Sequence, residues 1–270
     1  MSPAVPTNPA ATVSATGPAW TDPLLANPHA VPDKAARVNS MFSAIAPSYD
    51  LNNRLHSLWM DQHWRSVAVK MAEVRPGDAI VDVACGTGDL TLKFARKNVS
   101  GRTVGLDFTH AMLPLAREKA RRQIERLKLR VDHPPAFLQA DALALPLPDA
   151  SADVLSIAFG IRNVANWQDA ISEFARVLKP GGRLIILEFS LPRNAVLRGF
   201  YNFYFRKIMP RTATLISGDK SGAYKYLPES VNTFISPAAM IGELKTAGFT
   251  AIRAKALTLG ICTCYRAVKP

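Results

Sequence analysis

AIVDVACGTGDL, residues Ala79 to Leu90, reads as a buried strand that runs into a glycine turn and then a helix. Ile80, Val81 and Val83 are the β-branched residues of a central parallel strand covered on both faces, and Asp82 interrupts them. Gly86 and Gly88 carry no Cβ, so the backbone can turn sharply and lie directly against a ligand. Thr87 and Asp89 fall where the first helical turn begins. A second strand, Thr103 to Asp107, ends in an acidic residue about twenty positions further on. That is the spacing at which a carboxylate accepts the hydroxyls of an adenosine ribose. The third glycine of a dinucleotide fingerprint is missing, Thr91 standing in its place, and there is no Gly-Lys-Ser/Thr end of a phosphate loop. A compact turn flanked by Asp82 and Asp89 suits a cofactor with no phosphate and a positive centre. S-adenosylmethionine is such a cofactor.

Working outward, strands alternate with helices. Asp89 to Lys97 and Thr109 to Lys128 read as crossover helices, the second capped by Thr109. Ala136 to Gln139 and Ala152 to Phe159 read as strands. Trp167 to Leu178 reads as a helix stopped by Lys179-Pro180-Gly181-Gly182, before the apolar strand Arg183 to Phe189. After the helix Pro237 to Gly248, Phe249 to Leu257 and Gly260 to Val268 close the sheet as an antiparallel pair. The pattern predicts an α/β fold with a doubly wound, mostly parallel seven-stranded sheet. In such a sheet the ligand lies at the carboxyl ends of the strands, where Gly86, Asp107, Asp141 and Arg162 fall.

Residues 1–33 are rich in Pro and Ala and hold no Lys or Arg, which predicts a disordered leader and neither a secretory nor an Arg-rich transit signal. The single domain is expected to occupy 34–270. Its apolar residues from Lys34 to Val74 recur at helical spacing, broken by Pro47, and predict a lid of two or three helices over the cofactor site. Within 191–236 the run LRGFYNFYFRKIM, Leu197 to Met209, sets aromatics beside Arg198, Arg206 and Lys207, which suits ordinary core packing as much as a substrate tunnel or a membrane-facing helix. Ser217-Gly218-Asp219 and Tyr226 to Ser230 read as short irregular pieces.

The chain of 270 residues is 48% hydrophobic and carries a net charge of +12. An anionic partner is implied, either a phospholipid surface or nucleic acid. No run of about twenty apolar residues is present to span a membrane. Three cysteines cannot build a disulfide framework, which points to a reducing cytoplasm. Cys262 and Cys264 read as neighbours on opposite faces of a late strand, and no metal site is expected.

The runs FSAIAPSYD, VDVACGTGDL, GLDFTHAML, FGIRNV, RVLKPGGRLIILEFS and YKYLPESV together resemble the class I C-methyltransferases of quinone biosynthesis, from about Arg37 to the C-terminus. The resemblance implies a Rossmann-like methyltransferase domain that uses S-adenosylmethionine. By it, Thr87 with Gly86 and Gly88 holds the methionine part, Asp107 the ribose, and Asp141 with Ala142 the adenine, and Asp82 is a further cofactor-binding candidate. Ala158 stands where many relatives place a cofactor-contacting Ser. The C-terminal run LGICTCYRAVKP also departs from the family's usual Gly-Gly-Ile and His-containing strand.

The implied substrate is a prenylated quinol, and the contact with an anionic membrane follows from it, at the inner face of the cell membrane. Methylating an aromatic carbon requires a neighbouring hydroxyl to lose its proton, and a positive group to hold the phenolate. Arg162 is the candidate for that charge, Asn163 for orienting a water or the second oxygen, and Tyr49 for closing over the ring. Demethylmenaquinol is the first expectation, since the leader lacks a transit signal. The benzoquinol of ubiquinone biosynthesis is the alternative. An RNA-binding protein or RNA methyltransferase is a third reading, supported by the basic run Arg121 to Arg130 and opposed by FGIRN, which occupies the place of a catalytic Asn-Pro-Pro-Tyr-like loop.

Overall fold

The computed structural model describes residues 20–128 and 130–270. Its centre is β1 (Ile80–Val83), every residue of which is buried. Parallel partners flank it on both sides, β2 (Thr103–Asp107) and β4 (Ala152–Ala158). Adding β3 (Ala136–Gln139), β5 (Leu178–Phe189), β6 (Thr250–Leu257) and β7 (Cys262–Val268) gives a seven-stranded sheet of order β3-β2-β1-β4-β5-β7-β6, with β7 antiparallel to both β5 and β6. The chain winds outward from β1 to β3 and then returns to β4 on the other side. The chain leaving β1 and the chain leaving β4 therefore run to opposite faces of the sheet, to the helices Asp89–Lys97 and Trp167–Val177, and open a crevice at the carboxyl ends of the strands.

Helices cover both faces. α4 (Met60–Met71) and α5 (Asp89–Lys97) lay Trp64, Ala68, Leu90 and Phe94 on one face. On the other, α7 (Trp167–Val177) and α11 (Pro237–Thr246) supply Ile171, Phe174, Met240 and Leu244. α6 (Met112–Leu127) covers the β2 and β3 edge through Leu113 and Ala116 against Phe137. Its basic face is internally paired, Arg121 with Glu118 and Glu125, and Arg122 with Glu118.

A third cluster sits over the carboxyl end of the sheet and frames the site. The N-terminal pieces α1 (Asp22–Leu25), α2 (Lys34–Ile45) and α3 (Tyr49–His56) lie on one side, Pro47 imposing a short 3₁₀ turn between α2 and α3. On the other lie α8 (Ala195–Phe203), a π-helical turn over Tyr204–Ile208, α9 (Met209–Ser217) and α10 (Ala223–Asn232). Val38, Met41 and Ile45 pack there with Tyr201, Phe205, Met209 and Tyr226.

Several expectations are corrected. Packed chain begins before Lys34, because Trp20 and Leu25 are buried in that cluster; residues 1–19 of the expected leader lie outside the described residues. Thr109 does not cap α6, which starts at Met112 after Ala111; its N–H donates to Asp107 Oδ1 at 2.8 Å. α7 ends at Val177, and Lys179 to Gly182 belong to an irregular start of β5. Tyr226 to Ser230 are helical in spite of Pro228, within α10. Cys262 and Cys264 share one face, both packed in the cluster of Trp64 and Phe94, since residues two apart on a strand point the same way.

Candidate active site

At the crevice the ends of β1 and β4 touch. A Cβ on Gly160 would lie 2.5 Å from that of Ala84, so only glycine allows the approach. Ala84 and Phe159 both hold left-handed conformations, φ +52° and +58°. Each costs about 1–3 kcal/mol, strain of the kind that concentrates at functional sites. Here the two strained residues border one cleft, lined also by Gly86, Asp107, Phe108, Asp141, Ala142, Ala158 and Asn163, and enclosing ≈ 820 Å³ of non-atom space open to solvent.

Asp107 is the polar centre of the cleft. Its Oδ2 accepts the Gly86 N–H at 2.7 Å and its Oδ1 the Thr109 N–H at 2.8 Å, which fixes the carboxylate and leaves an acceptor site on each oxygen. Burial pushes its pKa up to about 6, against the lowering by the Thr109 and Gly86 amides. Asp141 is exposed at the rim, where its Oδ1 accepts the Leu143 N–H at 2.9 Å, beside buried Ala142. Ribose hydroxyls on Asp107 and an adenine between Phe108, Ala142 and Leu143 fit this lining, and Ala158 adds only a methyl group there.

The other three residues expected at the cofactor stand behind the cleft. Asp82 accepts from Thr91 Oγ1 at 2.6 Å and Ser156 Oγ at 2.7 Å; burial raises its pKa to about 6. It fastens α5 and β4 to β1. Thr87 is buried and donates to Asp50 Oδ1 at 2.6 Å, while Lys119 Nζ donates to Thr87 Oγ1 at 2.8 Å. Gly88 is needed for packing, its φ being +83° and a Cβ there falling 2.9 Å from the Phe137 ring.

A second cavity, ≈ 1570 Å³ by the same measure, adjoins the first and is walled by aromatic side chains, among them Trp64, Phe189, Tyr201, Tyr204, Phe205 and Tyr226. Phe42, Tyr49 and Phe159 line both cavities. The Tyr49 ring lies over Gly86, its Cε1 3.8 Å from where a Cβ would be. Burial raises the pKa of its hydroxyl, so Tyr49 stays neutral at the junction.

Two buried guanidinium groups face the aromatic cavity. Arg162 stands 5.3 Å from the centroid of the Phe189 ring, and Arg65 5.2 Å from that of Phe159. The two rings lie 4.6 Å apart between them. Arg162, the candidate for holding the phenolate, is paired in this structure: its Nη1 donates to Glu188 Oε1 at 2.5 Å and to Phe159 O at 2.8 Å, and its Nε to Ser230 Oγ at 3.3 Å. Asn163 lines the cofactor cleft, its Nδ2 donating to Phe159 O at 3.2 Å and its Oδ1 accepting from the Tyr226 hydroxyl at 2.9 Å.

Sequence reading missed Arg65 and Asp61, neighbours one turn apart on α4. Arg65 Nη1 donates to Asp61 Oδ2 at 2.8 Å, and Arg54 bridges Asp61 to Asp89 at the glycine turn. Their i, i+4 spacing was visible, but the partners come from separate segments. Lys119 completes the network by pairing with Asp50 at 2.5 Å and Asp89 at 2.9 Å. Among the described residues no group of three His, Cys, Asp or Glu side chains could hold a metal.

The ubiE/COQ5 methyltransferase family model matches residues 31–269. The demethylmenaquinone methyltransferase of Thermus thermophilus is 44% identical over 230 residues, 85% of this chain and 100% of the relative. The ubiquinone/menaquinone biosynthesis C-methyltransferase UbiE of Geobacter sulfurreducens is 41% identical over 238 residues, 88% of this chain and 90% of the relative. In fold, a SAM-dependent methyltransferase from Aquifex aeolicus superimposes with a TM-score of 0.53 at 20% identity, over 76% of this chain and 89% of that one. The chain belongs to the ubiE/COQ5 methyltransferase family and is an S-adenosylmethionine-dependent methyltransferase.

Proposed function

We propose that this enzyme methylates a ring carbon of a prenylated quinol, with demethylmenaquinol as the substrate. The observation that carries the reading is the junction. A cleft built around Asp107 opens past Tyr49 and Phe159 into an aromatic cavity holding two buried guanidinium groups. An aromatic ring with oxygens and a long apolar tail suits such walls. The similarity to the Thermus and Deinococcus radiodurans enzymes, both named demethylmenaquinone methyltransferase, favours the naphthoquinol over the benzoquinol.

When bound, S-adenosylmethionine supplies an electrophilic methyl group, and Asp107, Asp141 and Ala142 hold its nucleoside part. The protein's task is to place the ring and raise its electron density. Tyr49 and Phe159 confine the ring at the junction, which turns a bimolecular encounter into an oriented one. The hydroxyl passes its proton to a water at the junction and Arg162 stabilises the phenolate left behind; after the methyl has bonded to the ring carbon, the proton of that carbon leaves to water and the ring regains its aromaticity. Glu188 fixes the orientation of the guanidinium and balances its charge in the resting enzyme. The second N–H of Asn163 Nδ2 serves the other oxygen or a water.

The protein works at a membrane surface in this reading. Residues 193–218 contain five Lys or Arg and no Asp or Glu. Phe200, Phe203 and Leu215 are exposed on α8 and α9, and Leu58 and Leu259 beside the aromatic cavity are 80% and 73% exposed. No helix among the described residues is long and apolar enough to cross a membrane. Apolar contact plus charge is the signature of an element lying in an anionic interface.

Deleting the gene and profiling cellular quinones by mass spectrometry tests the substrate. Demethylmenaquinone should accumulate. A ubiquinone lacking one methyl beside normal menaquinone would move the enzyme to the benzoquinol branch, and an unchanged profile would refute the quinol reading.

A further inference from the structure

Three side chains in the segment before and at the start of α2 converge on one loop. The buried Trp20 indole packs on Tyr226 with ring centroids 4.4 Å apart, and the main-chain N–H of Trp20 donates to Ser221 O at 2.9 Å. Tyr226 in turn donates its hydroxyl to Asn163 Oδ1. His29 Nε2 lies 2.9 Å from the carbonyl oxygen of Ser230, whose hydroxyl accepts from Arg162 Nε. Lys34 Nζ donates to the main-chain oxygens of Arg162 and Val164, both at 2.8 Å. Lys34 thus touches the Arg162–Val164 turn directly, while Trp20 and His29 reach it through Tyr226 and Ser230.

Lys34 is the costly member. The side chain is buried, and among the described residues no carboxylate lies within ion-pair distance; its remaining partner is His29 Nδ1 at 3.3 Å. A buried ammonium is expensive unless its donors are satisfied, and here the carbonyls of the turn satisfy them. The turn therefore keeps its shape while the strap is in place. Ala35 and Val38, the next turn of the same helix, line the cofactor cleft.

We propose that residues 20–34 form a strap that positions the Arg162–Val164 turn, Lys34 acting on its backbone and Trp20 acting on Asn163 through Tyr226. Trp20, Lys34 and Tyr226 are positioning residues in this account. They set the turn against both cavities, and the arrangement holds whichever quinol the enzyme takes.

Hydrogen exchange of the full-length chain, without substrate, reads the turn directly. The Asn163 and Val164 amides are bonded to Gly160 O and Ile161 O, whereas the Phe159 amide is bonded across the sheet to Leu187 O and serves as an internal control. Trp20→Ala, Lys34→Met and Tyr226→Phe should each speed exchange at 162–164 by roughly 2- to 12-fold, the factor that one hydrogen bond of ordinary net strength gives. The Phe159 amide should keep its rate. Tyr226→Phe removes one oxygen and leaves the ring for Trp20, so it keeps the test valid if the larger substitutions unfold the protein. In methyl-transfer assays, Lys34→Met and Tyr226→Phe should lower kcat more than they raise KM. Unchanged exchange at 162–164 in Lys34→Met and Tyr226→Phe would overturn the proposal, as would equal acceleration throughout the sheet.

Discussion

Asp107 and Arg162 make the account testable at the scale of single residues. Removing the Asp107 carboxylate with Asp107→Ala should weaken S-adenosylmethionine binding by about 1.5–3 kcal/mol, measured by calorimetry, since the ribose hydroxyls donate to a charged acceptor. The same residue sets a pH dependence. Burial raises its pKa from 3.8 to about 6, so the unliganded carboxyl takes up a proton as pH falls through that value. The hydroxyls favour the charged form, so binding releases the proton. Affinity is therefore full above about pH 7 and declines below about pH 6. Asp107→Asn should bind weakly at every pH and flatten the profile; a wild-type profile that is flat from pH 5 to 8 would remove the assignment. For Arg162 the sharper substitution is Arg162→Lys. An ammonium keeps the charge but cannot reach Glu188, Phe159 O and Ser230 together as the planar guanidinium does. Turnover should fall by roughly 10²- to 10³-fold, the scale of losing one preorganised donor, while cofactor affinity stays near wild type. Unaltered turnover would show that Arg162 only braces the turn.

Elements tell how far the sequence could be read. β1, its glycine turn and α5 were legible because their signals are local: a β-branched run, a turn that tolerates positive φ, and helical periodicity after it. Asp107 was legible for the same reason, at the end of the next strand. Asp82 was not, because the face of a strand on which a carboxylate finds its partners depends on Thr91 and Ser156, which the chain brings from α5 and β4. Tyr226 to Ser230 misled in the same way: the stretch that reads as irregular sits inside α10, Pro228 included, and the tertiary contacts of Tyr226 and Ser230 hold it helical. From the aromatic-basic run at Leu197, Tyr201, Tyr204 and Phe205 stand in the wall of the aromatic cavity, and Tyr201 and Phe205 are also part of the core cluster with α2. The exposed face of the run carries a further prediction. Phe200→Glu with Phe203→Glu should reduce sedimentation with anionic liposomes several-fold without altering cofactor binding, and salt should weaken the wild-type interaction, as surface charges are screened over about 8 Å at physiological ionic strength. Equal binding of wild type to neutral and anionic vesicles would contradict the membrane reading.

The whole molecule places two cavities of different character against one shared wall of Phe42, Tyr49 and Phe159. The sheet supplies the cofactor cleft through the ends of β1, β2 and β4. The N-terminal helices and the segment from α8 to α10 enclose the aromatic cavity, and Tyr49 and Phe159 stand where they meet. In the proposed function that architecture would place a methyl donor beside a hydrophobic acceptor, and the acceptor's identity is the central claim. The most direct measurement incubates the full-length protein, with anionic vesicles holding chemically reduced demethylmenaquinone, and S-adenosylmethionine labelled on its methyl group, followed by mass spectrometry of the extracted quinone. The account predicts the label on a ring carbon of the naphthoquinone, and its loss in Arg162→Lys. Transfer to the benzoquinol alone, or label on a quinone oxygen, would contradict it.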